Sequence, residues 1–452
     1  MASLDSSKRL AYGWLAYAVG SLIFAGIFAL MVALARTPYI KDLLPGGDYF
    51  YIALVGHVIL AVVIWFLAFE GFLWILTSAI DTSTPVRSPA LGWLALFLSA
   101  GGTVLIVICA LLGLGYPELA NYVPVIIHPL FFTGLVLFAA GMTLILLNTF
   151  LTLGSALQRG AAFPIVTRGM AVAALTVTVA LVCFFLAGYL QYTRKGFFDF
   201  ERFFWGGGHI LQFANTISMA VAWLYLVKII LREDAIGLKL GTAAFLFYLL
   251  FVLPAPLVYF VYDTASYEYK TIFTRLMQWG IGPPTAFFII SILYLLYRYR
   301  DKGLPWARPG FSSLVLSIAI FLLGGLIALD ISGVNTKIPA HYHCAIGAVT
   351  IAFMGLFYEV IPFFGLRIYS EKMARIQPYL YGLGILLFAT GLYIAGWYGA
   401  MRKVYGQDQA YENMGKLIGL GIMGVGGLVA IAGGIYFVLN ALLTFLGNRR
   451  NT

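Results

Sequence analysis

Twelve long apolar runs recur along the chain, and they constrain its fold more than any other feature. A run of about 20 residues crosses a bilayer, and the chain is 62% hydrophobic and only 10% charged, unlike a soluble domain of 452 residues. Strands of a membrane β-barrel are shorter and alternate in polarity. We therefore predict an all-α membrane protein, a twelve-helix bundle forming one domain over residues 1–452. The predicted spans are 12–36, 50–80, 90–115, 121–150, 166–192, 203–231, 240–262, 272–298, 311–332, 340–365, 377–401 and 415–447.

The charged residues are distributed unevenly between the two sides of the predicted membrane. With the N-terminus in the cytoplasm, more than half of the 28 Lys and Arg fall in cytoplasmic segments such as "LYRYRDKG" and "LGNRR". This asymmetry follows the positive-inside rule, so the net charge of +10 reflects topology and nucleic acid is not an expected partner. We expect a multi-pass protein of the inner (cytoplasmic) membrane with both termini in the cytoplasm and a basic face on anionic lipid of the bilayer.

Histidine is the residue type that points to chemistry. The five histidines all fall in even-numbered predicted spans, within about 12 Å of the outer helix ends at about 1.5 Å per residue. A single intramembrane histidine is more often packed or hydrogen-bonded than a ligand. Five at one depth favour function, because ionisable residues in a membrane are costly and imidazole is a common metal ligand. They are His57, His128, His209, His341 and His343.

His341 and His343 stand two residues apart in the predicted tenth span. Successive helical residues advance about 100°, so these two side chains point about 200° apart and cannot bind one metal from this helix. They can serve two metal centres on opposite sides of the helix, and two haems between helices fit so apolar a bundle. The chain has no C-x-x-C-H motif, which argues against covalent haem attachment and favours b-type or a-type haem.

The motifs "YIALVGHVILAVVIWF", "WGGGHILQFAN" and "PAHYHCAIG" resemble those of subunit I in the haem-copper oxidase and nitric oxide reductase superfamily. The resemblance is closest to the nitric oxide reductase and cbb-type branches, and it implies a twelve-span fold. It implies that His57 and His343 bind a low-spin haem and that His341 holds the active-site haem. It also implies that His209 binds a distal metal, either copper or non-haem iron.

The chain departs from the family pattern in the predicted seventh span. The family takes two further distal-metal ligands from an adjacent His-His pair there, whereas this span reads "FVLPAPLVYF". Aligned on the proline, the pair becomes Leu257-Val258, and the tyrosine used in oxygen chemistry becomes Phe251. No histidine lies between residues 210 and 340 to replace the pair. A metal held by one imidazole is weakly bound, so we do not expect copper.

Three interpretations of His209 stay open on the sequence. It ligates the haem held by His341 and completes a bis-histidine electron carrier, or it lines a pocket or holds an unusual metal with His128. The third interpretation is a residue packed in the core. His128 precedes a proline near a helix start, so a structural role and a metal-binding role are about equally consistent with its position.

Two acidic residues, Glu70 and Glu359, fall inside predicted spans 2 and 10. They lie about 20 and 27 Å deeper than His57 and His341 on the same helices, near the cytoplasmic side. A carboxylate that reaches the membrane interface is the simpler interpretation. Proton uptake or quinone binding is the functional one, because buried carboxylates commonly serve proton relays.

These observations predict a haem-bearing membrane subunit of a respiratory complex. We expect it to carry electrons through two b-type haems, between a quinone pool and an outer-side partner such as cytochrome c or a periplasmic redox protein. Other subunits of a membrane redox complex are expected partners. One alternative is a terminal nitric oxide or oxygen reductase with an unconventional active site, and another is a non-redox haem-binding module. An electron-transfer subunit is favoured over a stand-alone terminal oxidase because the distal-metal ligands are missing.

Overall fold

A computed structural model describes residues 3–35, 47–193, 198–402 and 413–447. Within these residues twelve helices are long and apolar enough to cross a membrane, which confirms the predicted all-α twelve-span fold. The spans, numbered 1 to 12 in chain order, are Leu4–Val32, Tyr49–Ile80, Pro89–Leu111, Pro129–Gln158, Ile165–Thr193, Phe200–Leu231, Leu238–Val261, Tyr267–Lys302, Pro309–Leu329, Lys337–Phe364, Glu371–Trp397 and Met414–Gly447.

Most spans are single α-helices, and spans 2 and 7 are each built from more than one helical segment. Span 10 closes on a 3-10 turn at Ile361–Phe364, and span 8 on another at Arg300–Lys302. The α-helices are Leu4–Ala35, Gly47–Val58, Trp65–Ile75, Pro89–Leu111, Pro129–Gln158, Ile165–Thr193, Phe200–Leu231, Leu238–Val252, Val258–Val261, Tyr267–Tyr299, Pro309–Leu329, Lys337–Val360, Glu371–Trp397 and Met414–Gly447.

The chain divides into two compact units. Unit 1 comprises the described residues of Met1–Phe28, Pro45–Leu224 and Asp234–Leu295, and its core contains the fully buried side chains of Trp14 and Trp74. Unit 2 comprises those of Ala29–Leu44, Tyr225–Glu233 and Leu296–Thr452. A cluster of aromatic rings contributed by spans 10 and 12 fills part of its core. The single domain expected over residues 1–452 stays a prediction.

Span 2 changes its helical geometry twice. The α-helix Gly47–Val58 is followed by a π-helical segment at Ile59–Ile64, then by the α-helix Trp65–Ile75 and a second π-helical segment at Leu76–Ile80. π-helical segments are uncommon and often lie at functional sites. In this span they bracket the helix that carries Glu70, and His57 lies two residues before the first of them.

Span 4 begins at Pro129, several residues later than the 121–150 expected from hydropathy. The preceding apolar residues form a two-stranded antiparallel hairpin, Tyr116–Glu118 with Val125–Ile127, in which Tyr116 pairs with Ile127. The apolar run predicted as one helix therefore forms a strand at Val125–Ile127 and a helix from Pro129 onward. A proline at the first helical position is the signal that marks the true start, because its missing N–H is unpaired there in any helix.

Candidate functional site

His57 lies in the last turn of the first α-helical part of span 2 and is half-buried. Its Nδ1 is 3.0 Å from the carbonyl oxygen of Ala25 in span 1. A carbonyl can only accept, so Nδ1 carries the proton and donates, and the lone pair resides on Nε2. Metal-ligating histidines show this arrangement, in which the other ring nitrogen donates to a carbonyl or carboxylate.

His341 and His343 share this arrangement in span 10. The Nδ1 of His341 donates to the carbonyl of Gly324 in span 9 over 2.8 Å, and the Nδ1 of His343 donates to the carbonyl of Pro339 over 2.7 Å. Both rings are half-buried, and the helix directs them to nearly opposite faces. A Cβ at Gly324 would lie 2.7 Å from the Cβ of Cys344, so a glycine is needed for the approach of spans 9 and 10 at this hydrogen bond.

A buried lysine fixes the start of span 10, one turn before His341. Lys337 donates from Nζ to Oδ2 of Asp330 over 2.7 Å and lies over the ring of Trp397, 4.4 Å from its centroid. The hydroxyl of Tyr393 donates to the same carboxylate oxygen over 2.8 Å. These hydrogen bonds, that from Lys337 first and that from Tyr393 second, lower the pKa of Asp330. Sequence reasoning missed this cluster, although a lysine four residues before the first histidine was a visible signal.

Protein groups occupy both ring nitrogens of His209. Its Nδ1 donates to the carbonyl of Trp205 over 2.7 Å, and its Nε2 accepts from the hydroxyl of Tyr122 over 3.1 Å. Only 2% of the residue is exposed. Burial raises the pKa of the Tyr122 phenol above its usual range, and the charge of Glu201 adds to the effect. The phenol therefore stays protonated as a donor to His209.

Glycines make room for this aromatic cluster. A Cβ at Gly208 would come within 2.6 Å of the Tyr122 ring, and one at Gly206 would clash with the Tyr259 hydroxyl. The "WGGGH" motif of span 6 thus lets the Tyr122 ring approach beside His209 and the Tyr259 hydroxyl of span 7 approach at Gly206. The ring centroid of Phe273 in span 8 is 6.0 Å from that of His209. Sequence reasoning missed Tyr122. The three consecutive glycines indicate that another segment packs closely on span 6, but they do not identify that segment.

The two positions aligned with the His-His pair lie where span 7 breaks. The α-helix Leu238–Val252 gives way to a 3-10 turn at Ala255–Leu257, which follows Pro254 and contains Pro256. The side chain of Leu257 is 63% exposed, whereas Val258 is buried. Neither side chain can ligate a metal. Across the part of the chain that the structure describes, no group of three or more His, Cys, Asp or Glu is placed to hold a metal ion.

His128 is the N-cap of the helix that begins at Pro129. Its Nδ1 accepts the backbone N–H of Leu130 over 3.2 Å, so in the neutral ring the proton is on Nε2. The Nδ1 lone pair that a metal would need is therefore engaged by the backbone N–H of Leu130 at the start of the helix. His128 accepts from Leu130, and the Nε2 of His209 accepts from Tyr122. The two histidines thus have separate hydrogen-bond partners.

Glu70 and Glu359, the two carboxyl groups that the sequence places inside spans 2 and 10, have opposite surroundings. Glu359 in span 10 accepts a bidentate contact from Arg308, with Nε at 3.1 and 3.0 Å from its two oxygens and a terminal guanidinium nitrogen at 2.6 Å. A paired guanidinium of this geometry favours a structural role for Glu359. Glu70 in span 2 is fully buried, and neither of its oxygens has a hydrogen-bond partner.

The sequence pattern of the whole chain decides its family. A sequence model described as "Cytochrome C and Quinol oxidase polypeptide I" matches residues 9–443. The chain belongs to this family. The oxidase family comprises membrane haem proteins of redox complexes, and the resemblance drawn from the histidine motifs is confirmed. The chain is accordingly a multi-span membrane haem redox protein.

Similar proteins agree with the assignment to the oxidase family. The chain is 35% identical over 376 residues to an uncharacterized protein of Aquifex aeolicus (strain VF5), covering 81% of this chain and 88% of that protein. It is 28% identical over 229 residues to cytochrome c oxidase subunit 1 of Thermus thermophilus, covering 45% of this chain and 40% of that protein.

A solved structure supports the fold. The chain matches a haem-copper terminal oxidase, determined by cryo-EM as a dimer, with a TM-score of 0.78 and 19% sequence identity. The match covers 97% of this chain and 84% of the other. At this level of identity the likeness establishes the common twelve-span fold alone.

Proposed function

We propose that this oxidase-family protein is the electron-carrying haem subunit of a respiratory complex in the inner membrane. It transfers electrons through two b-type haems between a quinone pool and a redox protein on the outer side, with both termini in the cytoplasm. The observation that carries the proposal is the contrast among the histidines. His57, His341 and His343 each donate from Nδ1 to a backbone carbonyl, which fixes the neutral tautomer that metal-ligating histidines use, whereas the Nε2 of His209 accepts from Tyr122.

The three histidines of the first kind are the proposed haem ligands. His57, His341 and His343 each have the tautomer that haem iron requires, and each ring is half-buried. The backbone carbonyls that accept from Nδ1 hold the rings in orientation. Bound haem supplies one-electron chemistry at its iron. The protein's part is to supply imidazole nitrogens, exclude water and keep the surroundings apolar.

We propose no distal copper or iron site. A metal at His209 would have to displace the Tyr122 hydrogen bond and would then find Leu257 and Val258 in place of two further imidazoles. Affinity for copper depends on several converging ligands of suitable geometry. We therefore assign His209 to the aromatic core of unit 1 and His128 to the end of a helix, and neither to a metal.

One observation favours a second candidate, a terminal nitric oxide or oxygen reductase with an unconventional active site. The Tyr122 phenol bonded to the His209 imidazole is a potential proton donor, and gas reduction consumes protons. The chain would then have replaced the family's tyrosine with one from the hairpin. The missing distal-metal ligands count against this candidate. A non-redox haem-binding module is the third candidate, and membership of a redox family counts against it.

Metal and haem analysis of the purified protein separates these candidates. We expect two non-covalent haems per chain, extracted by acid acetone, and substoichiometric copper. The matched control is the Tyr122→Phe variant, which frees the His209 nitrogen without adding a ligand and should also bind no copper. One tightly bound copper per chain in the wild type would contradict the proposal, as would haem that resists extraction.

A further inference from the structure

Glu70 lies in the most enclosed part of span 2. All eleven residues of the helix Trp65–Ile75 are buried, and the exposure of Glu70 is 0%. Both of its carboxyl oxygens lack a hydrogen-bond partner in the described structure. A buried carboxylate without a partner costs several kcal/mol or more, and such groups become neutral instead. The neutral acid is therefore the form that this environment tolerates.

The comparison with Glu359 shows how unusual this arrangement is. Glu359 also lies within a span, and its side chain is 7% exposed, yet it accepts three hydrogen bonds from Arg308. An ionised carboxylate is satisfied by that guanidinium. Among the described residues, no cation or other donor bonds to the Glu70 carboxyl group.

Two other buried polar groups with no partner among the described residues lie near Glu70 in unit 1. Ser218 of span 6 is a neighbour of the Glu70 carboxyl, and its buried hydroxyl makes no hydrogen bond. Trp74 follows Glu70 by four residues, on the same face of the helix. Its indole N–H is buried and also has no partner. Two donors and a carboxylic acid thus share one enclosed region.

Buried polar groups in proteins are nearly always hydrogen-bonded, and internal water commonly provides the partner. A polar pair too far apart for a direct bond is often bridged by such a water. We propose that Glu70, Ser218 and Trp74 enclose an internal water site in which Glu70 is a neutral acid whose proton exchanges through that water. The ligand of this site is water. This water site stands apart from the haem assignments, since Glu70, Ser218 and Trp74 are not among the proposed haem ligands.

Infrared spectroscopy of the membrane-reconstituted protein tests the proposal. The wild type should show a carbonyl band of a protonated carboxylic acid that is lost in Glu70→Gln, as seen in a wild-type-minus-variant difference spectrum. The matched control Glu359→Gln should leave this band and remove carboxylate absorption instead. Ser218→Ala keeps the acid but weakens the water site, so the band should move to higher frequency.

Exchange into D2O completes the test and needs no variant. The acid band of the wild type should move to lower frequency well before the buried amides of the spans exchange. A band that stays unshifted while those amides exchange would overturn the water site. An unchanged acid region in Glu70→Gln, with haem spectra intact, would overturn the neutral acid itself. If Ser218→Ala left the band in place, the water site would be overturned as well.

Discussion

The phenol of Tyr122 donates a hydrogen bond of 3.1 Å to Nε2 of His209, across 87 residues of sequence. This one contact joins the hairpin before span 4 to the first third of span 6, and it uses the nitrogen that a distal metal would need. Its partner nitrogen donates to Trp205, so the neutral ring has no remaining lone pair for a metal. The pair argues against the interpretation of His209 as a haem ligand.

The first prediction concerns the haem ligands. The family pairing implies that His57→Ala and His343→Ala remove the same low-spin haem signal, about half of the total haem, whereas His341→Ala removes the other. Optical and paramagnetic resonance spectra of the three purified variants measure this. His209→Ala serves as the control and should keep both haems. If His57→Ala left both spectra unchanged, the assignment in span 2 would be wrong.

The second prediction concerns gas chemistry. Because Tyr122 binds the Nε2 of His209, we expect the haem at His341 to keep an open position, so reduced protein should bind carbon monoxide at about one haem in two. Turnover of oxygen or nitric oxide with an artificial electron donor should be negligible, since no distal metal is expected. Sustained gas consumption that disappears in both His209→Ala and Tyr122→Phe would instead establish the reductase candidate.

The third prediction concerns His128. Removing an N-cap acceptor costs a helix about 1 kcal/mol, so His128→Ala should lower the thermal unfolding midpoint without altering either haem spectrum. His128→Asn restores an acceptor and should recover most of the lost stability. Thermal unfolding followed by circular dichroism measures both variants. Loss of a haem or of a bound metal in His128→Ala would show that the residue does more than cap a helix.

The fourth prediction concerns the Lys337–Asp330 pair at the start of span 10. Lys337→Met should lower the thermal midpoint and loosen haem binding at His341, whereas the same change at exposed Lys239 should do neither. Because folding lowers the pKa of Asp330, the ionised carboxylate stabilises the folded protein. This contribution is complete at any pH above the pKa of the same carboxyl group in the unfolded chain. It is lost as the pH falls through the lowered pKa.

The pH dependence therefore gives a further measurement on the same pair. Unfolding midpoints of wild type and Lys337→Met should differ by a constant amount between about pH 5 and 8 and converge only in acid. A difference that instead changed steadily across neutral pH would mean that another group titrates with the pair.

The spans were predictable from the sequence because hydropathy is nearly additive and a bilayer demands a minimum length. The error at the start of span 4 arose because Val125 and Ile126 are equally apolar in a strand and in a helix. Span 1 begins at Leu4 and not at residue 12, because the helix extends through polar residues that hydropathy excludes. The opposite directions of His341 and His343 resulted from helical geometry alone. That part of the candidate site follows from the α-helical repeat of 3.6 residues per turn, which can be applied to a sequence directly.

The rest of the site depends on contacts between distant segments. Nothing near His209 in the sequence indicates that Tyr122 would reach it, and nothing near Glu359 identifies Arg308 rather than another arginine as its partner. The two carboxylates looked alike in the sequence, each lying in an apolar run beyond a histidine. Only tertiary packing distinguishes the paired Glu359 from the enclosed Glu70.

Each π-helical segment of span 2 accommodates one residue more per turn than an α-helix does. Deleting one residue from Ile59–Ile64 would therefore turn that segment into an ordinary α-helix and leave the helix Trp65–Ile75 in nearly the same orientation relative to His57. Glu70 would keep its enclosed position, whereas one residue deleted from the regular helix between Trp65 and Glu70 would rotate the carboxyl group by about 100°. The π-helical segments are thus the places in this span where a related chain gains or loses one residue and still keeps the histidine and the carboxyl group in register.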